Sequence, residues 1–446
     1  MTFFVPWLPL MPSEVPGRLS ATELLPYSDF ATDAARAGGL SLGEVGDLVA
    51  RANSRLLTEL GLTVNPLQLS SGSLRVDDVI GLLRLSPRLE MEIAPKYLGT
   101  DSTTWREDFF FVAQLSRFGR LLANEQLGTR ATAEPTLVNL VSGALVDLYW
   151  EHFRRPLRSY RTSAVRDYAL VGEYEAERLL FPTAEGFEQR VTSLTRNNPF
   201  NGVMYEAARQ LLVEVDDAEI RRRLVRMVEH LTPQGQPSRH RPTRVPSRHQ
   251  RWQPLYELSS QVVDGFGLDL RKDNLNIAPG FVLRASKSWE DLLSRAVRRG
   301  LPDANVRGQL GHALGERNGQ GFDTTPDLTA DFASSRVLVD AKYKGRAQRS
   351  SAAVSASDVY EGLAFLRAAG CQRLVLLYPR RFVQGSAPLP VGTTAQFEHI
   401  TVDDYHIHAC EVEARGISAR GAYQRFAERV GVAVRDVSRL DVLVAT

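Results

Sequence analysis

Two acidic residues and one lysine in the last third of the sequence have types and spacing suited to phosphodiester hydrolysis. Asp327 follows a proline, and Asp340 and Lys342 are separated by one residue. Carboxylate oxygens bind a hard cation such as Mg²⁺, which activates water and polarises a phosphate, while an ammonium group steadies the nucleophile or the developing charge. The sequence therefore predicts Asp327, Asp340 and Lys342 as catalytic residues, with the two aspartates as Mg²⁺ ligands.

A β-hairpin is the element that would bring these residues together. Two β-prone runs flank a small polar turn at residues 333–335, so folding about the turn places Asp327 beside Asp340. Because side chains alternate along a strand, Asp340, Lys342 and Lys344 share one face. This arrangement is typical of PD-(D/E)xK nucleases, although the bare pattern also arises by coincidence, and the strand could end in a solvated ion pair.

Further side chains could complete such a site. Glu290 lies in the helix predicted before the hairpin and is assigned as a third metal ligand and catalytic residue, or it only stabilises the start of that helix. Asp331 is the rival of Asp327, but it lies close to the turn. Tyr360 and Glu361, in the helix predicted after the hairpin, could point toward the site or only cover the sheet.

The elements around the hairpin predict an α/β core. A helix is predicted over residues 288–298, and a second helix over 357–369 leads into the continuous apolar run 372–379. That run is typical of a buried strand that is parallel to its neighbour through a helical crossover. The order helix, hairpin, helix, strand is the core on which this nuclease chemistry is usually built.

Four segments are predicted along the 446 residues, because the chain is too long for one ordinary core. Residues 1–108 are predicted as a β-rich domain around a helix at Leu42–Leu60, with β-prone runs at 62–64, 67–69, 74–76 and 79–85. Residues 109–231 form a helical middle region, 232–251 a basic linker rich in Pro, Ser and Arg, and 252–446 the α/β domain. The fold class is a multidomain α+β protein with a restriction-endonuclease-like C-terminal core.

Composition narrows the class of protein without naming its partner. The formal net charge is +2 and the two cysteines lack CxxC spacing, which argues against a disulfide framework and a zinc site. No run is long enough to span a bilayer and the apolar N-terminus lacks the basic start of a signal peptide, so we expect a cytoplasmic protein. Arginines at 239–251 and 295–299 could contact phosphates or only face solvent, and they are not assigned as sites.

A series of short motifs resembles the McrC family, the nuclease subunits of McrBC-type, modification-dependent (type IV) restriction systems. In chain order they are Ile93-Ala-Pro-Lys-Tyr97, Tyr160 with Leu170-Val-Gly-Glu173, Asn198-Pro-Phe-Asn201, Pro326-Asp327, Asp340-Ala-Lys-Tyr-Lys344 and Leu377-Tyr-Pro379. Each motif is short, and their order and spacing make the resemblance specific.

The resemblance implies a C-terminal endonuclease domain and an N-terminal region that docks into a ring of McrB-like AAA+ GTPase subunits and stimulates GTP hydrolysis. Double-stranded DNA, with modified cytosine read by the partner, is the implied substrate. The chain carries no GxxxxGK[ST] loop, so any nucleotide-driven motor belongs to another chain. Glu173 and Glu361 depart from the family pattern, which has a basic residue and a glutamine there. The alternatives are a nuclease that acts without a GTPase ring and a non-catalytic regulator of the GTPase.

Overall fold

The computed structural model describes residues 17–86, 88–100, 104–118, 136–180, 183–232, 244–263, 281–343, 353–381 and 389–439. The chain forms two compact units, one containing residues 141–279 and the other combining 14–140 with 280–446. The boundaries predicted at 108, 231 and 251 do not coincide with these units, since the N-terminal β-rich segment and the predicted α/β segment lie in the same unit. Over the described ranges, no helix has the length and apolar character needed to cross a membrane.

Short strands and helices form the described N-terminal part of the larger unit. Their bounds are β1 (Gly17–Thr22), α1 (Phe30–Gly38), α2 (Leu42–Leu60), β2 (Leu67–Ser70), β3 (Ser73–Val76), β4 (Val79–Ser86), β5 (Leu89–Ala94) and α3 (Trp105–Phe118). The bounds predicted for α2 are confirmed, and the helix starts at a reciprocal capping box between Ser41 and Glu44. The strand predicted at 62–64 is wrong, because Gly61 ends α2 in the left-handed conformation and these residues form the connection to β2.

The smaller unit is a helical assembly with one long hairpin. Its elements are α4 (Leu137–His152), which begins just before the unit, β6 (Ser159–Asp167), β7 (Phe187–Thr195), α5 (Pro199–Glu214), α6 (Ala218–Leu231) and α7 (Gln253–Val263). The helices confirm the predicted helical character, whereas the antiparallel β6–β7 hairpin was not predicted. The end of the predicted linker lies in a 3-10 helix, Ser247–Trp252. Arg239 and Arg241 lie outside the described residues.

The C-terminal part of the larger unit alternates strands and helices. Its elements are β8 (Phe281–Arg284), α8 (Ala285–Gly300), β9 (Asn305–Gly308), β10 (His312–Arg317), β11 (Gln320–Thr324), β12 (Leu328–Asp331), β13 (Arg336–Ala341), α9 (Ala356–Ala369), β14 (Arg373–Pro379), β15 (Thr394–Val402), β16 (Tyr405–Val412) and α10 (Ala422–Arg439). The predicted hairpin is β12–β13, and the predicted crossover is confirmed, because β14 is parallel to β13 and follows α9.

A six-stranded mixed sheet carries the predicted site, with the strand order β15-β16-β14-β13-β12-β9. On one face Leu338, Leu376 and Ile407 pack in a buried cluster with Phe365 and Leu366 of α9. The alternate residues of the central strands point to the other face. Both α8 and α10 contact β13, so helices cover the central strands of the sheet.

A second sheet explains why distant parts of the sequence form one unit. Its order is β1-β5-β4-β8, and β4, which lies between two partners, has all but its last residue buried. The outer partner β8 comes from residues 281–284 and leads directly into α8. The N-terminal sheet therefore holds the start of the helix that carries Glu290.

Candidate active site

The open end of the β12–β13 hairpin brings Asp327 and Asp340 together. Leu328 pairs with Val339, so Asp327, the residue before β12, lies opposite Asp340. The Asp327 carboxylate accepts a hydrogen bond from the amide of Ala341 at 2.8 Å, and its own carbonyl accepts one from the amide of Gln309 at 2.9 Å. The register of the hairpin thus brings the two aspartates together, as the sequence predicts.

Burial and neighbouring negative charges raise the pKa of both carboxyl groups. Asp340 is only 4% exposed. Burial, the charge of Asp340 and the charge of Glu290 raise the pKa of Asp327 to about 7, against the hydrogen bond from Ala341 and the charge of Lys342. Burial also raises the pKa of Asp340, although Lys342 opposes the shift. Two neighbouring carboxylates in a poorly solvated position favour either a proton or a bound cation.

Lys342 is the cationic member of the site. Its Nζ lies 2.7 Å from Oδ2 of Asp340 and 2.6 Å from Oε2 of Glu361. Burial would lower the pKa of Lys342, but the charges and hydrogen bonds of Asp340 and Glu361 outweigh it and raise that pKa above its usual value. The lysine therefore remains an ammonium group at neutral pH.

Glu290 lies beside the pair without joining it. Its carboxylate accepts from Lys287 Nζ at 2.7 Å and from Gln309 Nε2 at 3.1 Å, and its charge contributes to the raised pKa of Asp327. Gln309 thus links the backbone of Asp327 with the side chain of Glu290, a connection that no sequence signal indicated.

The donor set suits Mg²⁺, although it is not arranged as a finished cage. In the described parts of the chain, no three His, Cys, Asp or Glu side chains form a group that could hold a metal ion as they stand. Mg²⁺ is usually held by one or two carboxylates and completes its shell with water and phosphate oxygens. Asp327 and Asp340 satisfy that requirement, whereas Glu290 would have to turn away from Lys287 and Gln309 to take part.

The other candidate residues differ in their contacts with the site. Asp331 lies at the turn end of the hairpin, in ion pairs with Arg307 and Arg336 at 2.6 Å each, which excludes it from the pair at the open end. Glu361 contacts Lys342, whereas Tyr360 is 71% exposed. Lys344 lies outside the described residues.

A comparison with protein-family models decides the family. A model described as the McrBC 5-methylcytosine restriction system component matches residues 74–379, more than half of the chain. The chain belongs to this McrBC family. The match contains Glu290, Asp327, Asp340, Lys342 and Glu361, so every residue that forms the site of this McrBC-family chain lies within the family region.

A solved structure shares the fold of this McrBC-family chain. A chain of the refined half-complex from a tetradecameric assembly of Thermococcus gammatolerans McrB AAA+ hexamers with bound McrC matches with a TM-score of 0.69 and 15% identity, covering 93% of this chain and 100% of that chain. A chain of the Thermococcus gammatolerans McrBC complex matches at a TM-score of 0.49 and 16% identity, covering 65% of this chain and 89% of that chain. No curated protein matches the chain. At these identities the structural likeness concerns the fold.

Two motifs of the McrBC-family chain have structural roles. Asn198 caps α5 by accepting from the Asn201 amide at 3.0 Å, and the side-chain amides of both asparagines donate to the carbonyl of Leu157. Gly172 lies so close to the Arg190 carbonyl that a Cβ would stand 2.3 Å from that oxygen. The backbone of the next residue, Glu173, pairs with Arg190, so the departure at this position leaves a main-chain contact intact.

Proposed function

We propose that the chain is the DNA-cleaving subunit of a modification-dependent restriction complex, a metal-dependent endodeoxyribonuclease with a PD-(D/E)xK core. The observation that carries the proposal is the convergence of Asp327, Asp340 and Lys342 at the open end of one hairpin. The order of α8, the β12–β13 hairpin, α9 and β14 supports such a core. The family adds the biological setting, because its description names a 5-methylcytosine restriction system.

Each residue of the candidate active site has a separate task in the proposed cleavage reaction. Asp327 and Asp340 would hold Mg²⁺, with Glu290 as a third carboxylate once its side chain turns. Bound there, the ion would polarise the phosphate and activate a water molecule. Lys342 would orient the attacking water or stabilise the charge that develops on the phosphate. Glu361 holds the lysine at 2.6 Å, which limits the freedom of the ammonium group before DNA arrives.

An McrB-like AAA+ GTPase ring is the partner we propose. A chain with the same fold occurs in an assembly of McrB AAA+ hexamers with bound McrC, and this sequence carries no nucleotide-binding loop of its own. The ring would supply GTP hydrolysis, which this chain would stimulate, and it would read modified cytosine in double-stranded DNA.

Two surfaces are candidates for docking on that ring. The sequence assigns docking to residues 1–108. In the smaller unit, however, the segment 159–195 exposes several large apolar side chains, the kind of surface that a partner covers. They are Tyr160, Tyr168, Leu170, Val171, Tyr174, Leu180 and Leu194. We propose that docking uses this exposed hairpin surface, because its large apolar side chains are grouped within one short segment. Residues 1–108 are the alternative.

The test combines the chain, an McrB-like partner, GTP and Mg²⁺ with DNA that carries or lacks 5-methylcytosine. We expect partner-dependent cleavage of methylated DNA by the wild type and none by Asp340→Ala. Equal cleavage by both proteins would reject the site. Cleavage without the partner would favour a nuclease that acts without a ring, and GTPase stimulation without any cleavage would favour a regulator.

A further inference from the structure

A partly buried polar contact joins the end of the N-terminal sheet to the segment that leaves β13. Lys96, two residues after β5, donates from Nζ to the carbonyl oxygen of Tyr343, and the same Nζ lies 3.8 Å from the centre of the Tyr343 ring. Tyr343 directly follows Lys342. The contact is therefore one residue away from the ammonium group of the candidate active site.

Tyr343 is held from several directions. Its hydroxyl donates to the carboxylate of Glu23, which is fully buried just after β1. Its ring lies 6.2 Å from that of Tyr97, and Tyr97 in turn lies 5.4 Å from the ring of Trp289 in α8. A side chain with both its polar group and its ring fixed in this way has little rotational freedom.

Glu23 ties this contact to the start of α8. Its Oε1 accepts from the amide of Asp78 at 3.1 Å. The Asp78 carboxylate accepts from the amide of Ser286 at 2.8 Å, and it pairs with Arg284 at 3.3 Å. The buried Glu23 carboxylate thus contacts Tyr343, in the segment after β13. Through Asp78 it is also linked to the first turn of α8, the helix that carries Glu290.

Lys342 needs support of this kind because the sheet ends before it. β13 stops at Ala341, and the described backbone hydrogen bond of Lys342 is the one from its amide to the Leu377 carbonyl at 3.0 Å. The following carbonyl, that of Tyr343, is held by Lys96. Two anchors therefore bracket the lysine, one from β14 and one from the N-terminal sheet.

We propose that Lys96 is a positioning residue for the cleavage reaction. Through the Tyr343 carbonyl it fixes the chain at Lys342, so the nuclease site depends on the N-terminal sheet. This inference rests on the proposed function of Lys342. An error of about 1 Å in the position of a reacting group can lower a rate by about 100-fold, so the loss of this anchor should reduce turnover more than DNA binding.

The experiment compares Lys96→Met with Lys96→Arg and Arg106→Met in the full chain with its McrB-like partner. Arg106→Met is the matched control, because Arg106, in α3, is also a cation that contacts the N-terminal sheet, where it pairs with Glu92 of β5 at 2.8 Å. We expect Lys96→Met to lower kcat for DNA cleavage by about 10- to 100-fold with KM changed by about twofold or less. Lys96→Arg, which keeps the charge and the donors, should recover most of the rate.

A second readout needs no activity. In Lys96→Met the amides of Ala341 and Lys342 should exchange with deuterium faster than in the wild type, while those of Val337 to Val339 keep their protection. Unchanged exchange at 341–342, or a kcat reduced no further than in Arg106→Met at equal folded fraction, would overturn the proposal. Failure of the proposed function is a different result, namely equal cleavage by wild type and Asp340→Ala.

Discussion

At the residue scale, Asp327 has an unfavourable position for a lone carboxylate. It is partly buried, it faces Asp340, and it receives one backbone hydrogen bond from Ala341. The resulting pKa of about 7 means that Asp327 is partly protonated near neutral pH, and a cation could replace that proton. Structural ion pairs normally shift aspartate in the opposite direction, as Asp331 illustrates, whose pKa is lowered by Arg336 and Arg307 despite partial burial.

The raised pKa predicts a specific dependence of stability on pH. In metal-free buffer the unfolded chain loses the Asp327 proton near the ordinary value of 3.8, whereas the folded chain keeps it up to about 7. The folded state is therefore penalised progressively as pH rises through this window. Asp327→Asn should remove the penalty and stabilise the chain by up to about 4 kcal/mol above pH 7, with a difference of about 1 kcal/mol or less near pH 4.

Urea unfolding of both proteins across this pH range measures the difference directly. The comparison between wild type and variant cancels the contributions of titrating groups that do not interact with Asp327. The charge of Asp340 acts on Asp327 and is part of the measured difference. A constant difference from pH 4 to pH 8 would contradict the assigned pKa.

The sequence predicted Asp327, Asp340 and Lys342 together because their alignment follows from hairpin register, which is local. It left Glu361 open, because its contact with Lys342 depends on how α9 packs on the sheet. It placed Glu290 correctly on the helix before the hairpin. The hydrogen bonds of Glu290 with Lys287 and Gln309 could not be predicted, because side-chain rotamers and loop positions determine these contacts.

At the element scale, a close helix crossing fixes α8 on the sheet. A Cβ on Gly300, at the end of α8, would lie 2.0 Å from the Ala427 carbonyl of α10, and one on Gly431 would lie 2.3 Å from the Gly300 carbonyl. Backbones at this distance leave no room for a side chain. This close crossing therefore fixes the position of α8 on the sheet, and with it the position of Glu290.

Gly300→Ala should destabilise the chain by about 1–3 kcal/mol, since the added methyl group must push two helices apart. The matched control is Gly46→Ala in α2, where a Cβ would meet nothing within 4 Å. That substitution should stabilise the chain by about 0.5–1 kcal/mol through helix propensity. Denaturant unfolding measures both, and a neutral Gly300→Ala would mean that the crossing is looser than described.

Elements with local signals were predictable and those defined by distant pairing were not. The α2 capping box, the β12–β13 turn and the apolar run of β14 are all readable in short windows. The β6–β7 hairpin was missed because most of its residues are exposed on both faces, so no alternation of apolar and polar residues marks it. The pairing of β8 with β4 joins segments about two hundred residues apart, which no local pattern indicates.

At the scale of the whole molecule, the candidate active site and the exposed hairpin surface lie in different units. The larger unit contains the candidate active site and the sheet that anchors it. The smaller unit carries the exposed hairpin surface, with Val171 at 70% and Leu180 at 74% exposure. Apolar groups this exposed contribute little to the stability of their own unit, so substitutions there can report on association.

Val171→Asp should weaken association with the McrB-like ring by about tenfold, because it places a charge in a surface that docking would bury. Val64→Asp is the matched control, since Val64 is 68% exposed and belongs to the N-terminal segment. The concentration of chain that half-maximally stimulates GTPase activity measures both effects. A larger effect of Val64→Asp would move the docking surface to residues 1–108.

The most direct test of the central claim is single-turnover DNA cleavage by Asp340→Asn and Asp331→Asn in the assembled complex with Mg²⁺. Both substitutions remove one negative charge from the same hairpin, at its open end and at its turn end respectively. We expect Asp340→Asn to slow cleavage by at least about 100-fold, whereas Asp331→Asn should slow it by about fivefold or less. Equal rates for the two variants would contradict a catalytic site at Asp327, Asp340 and Lys342.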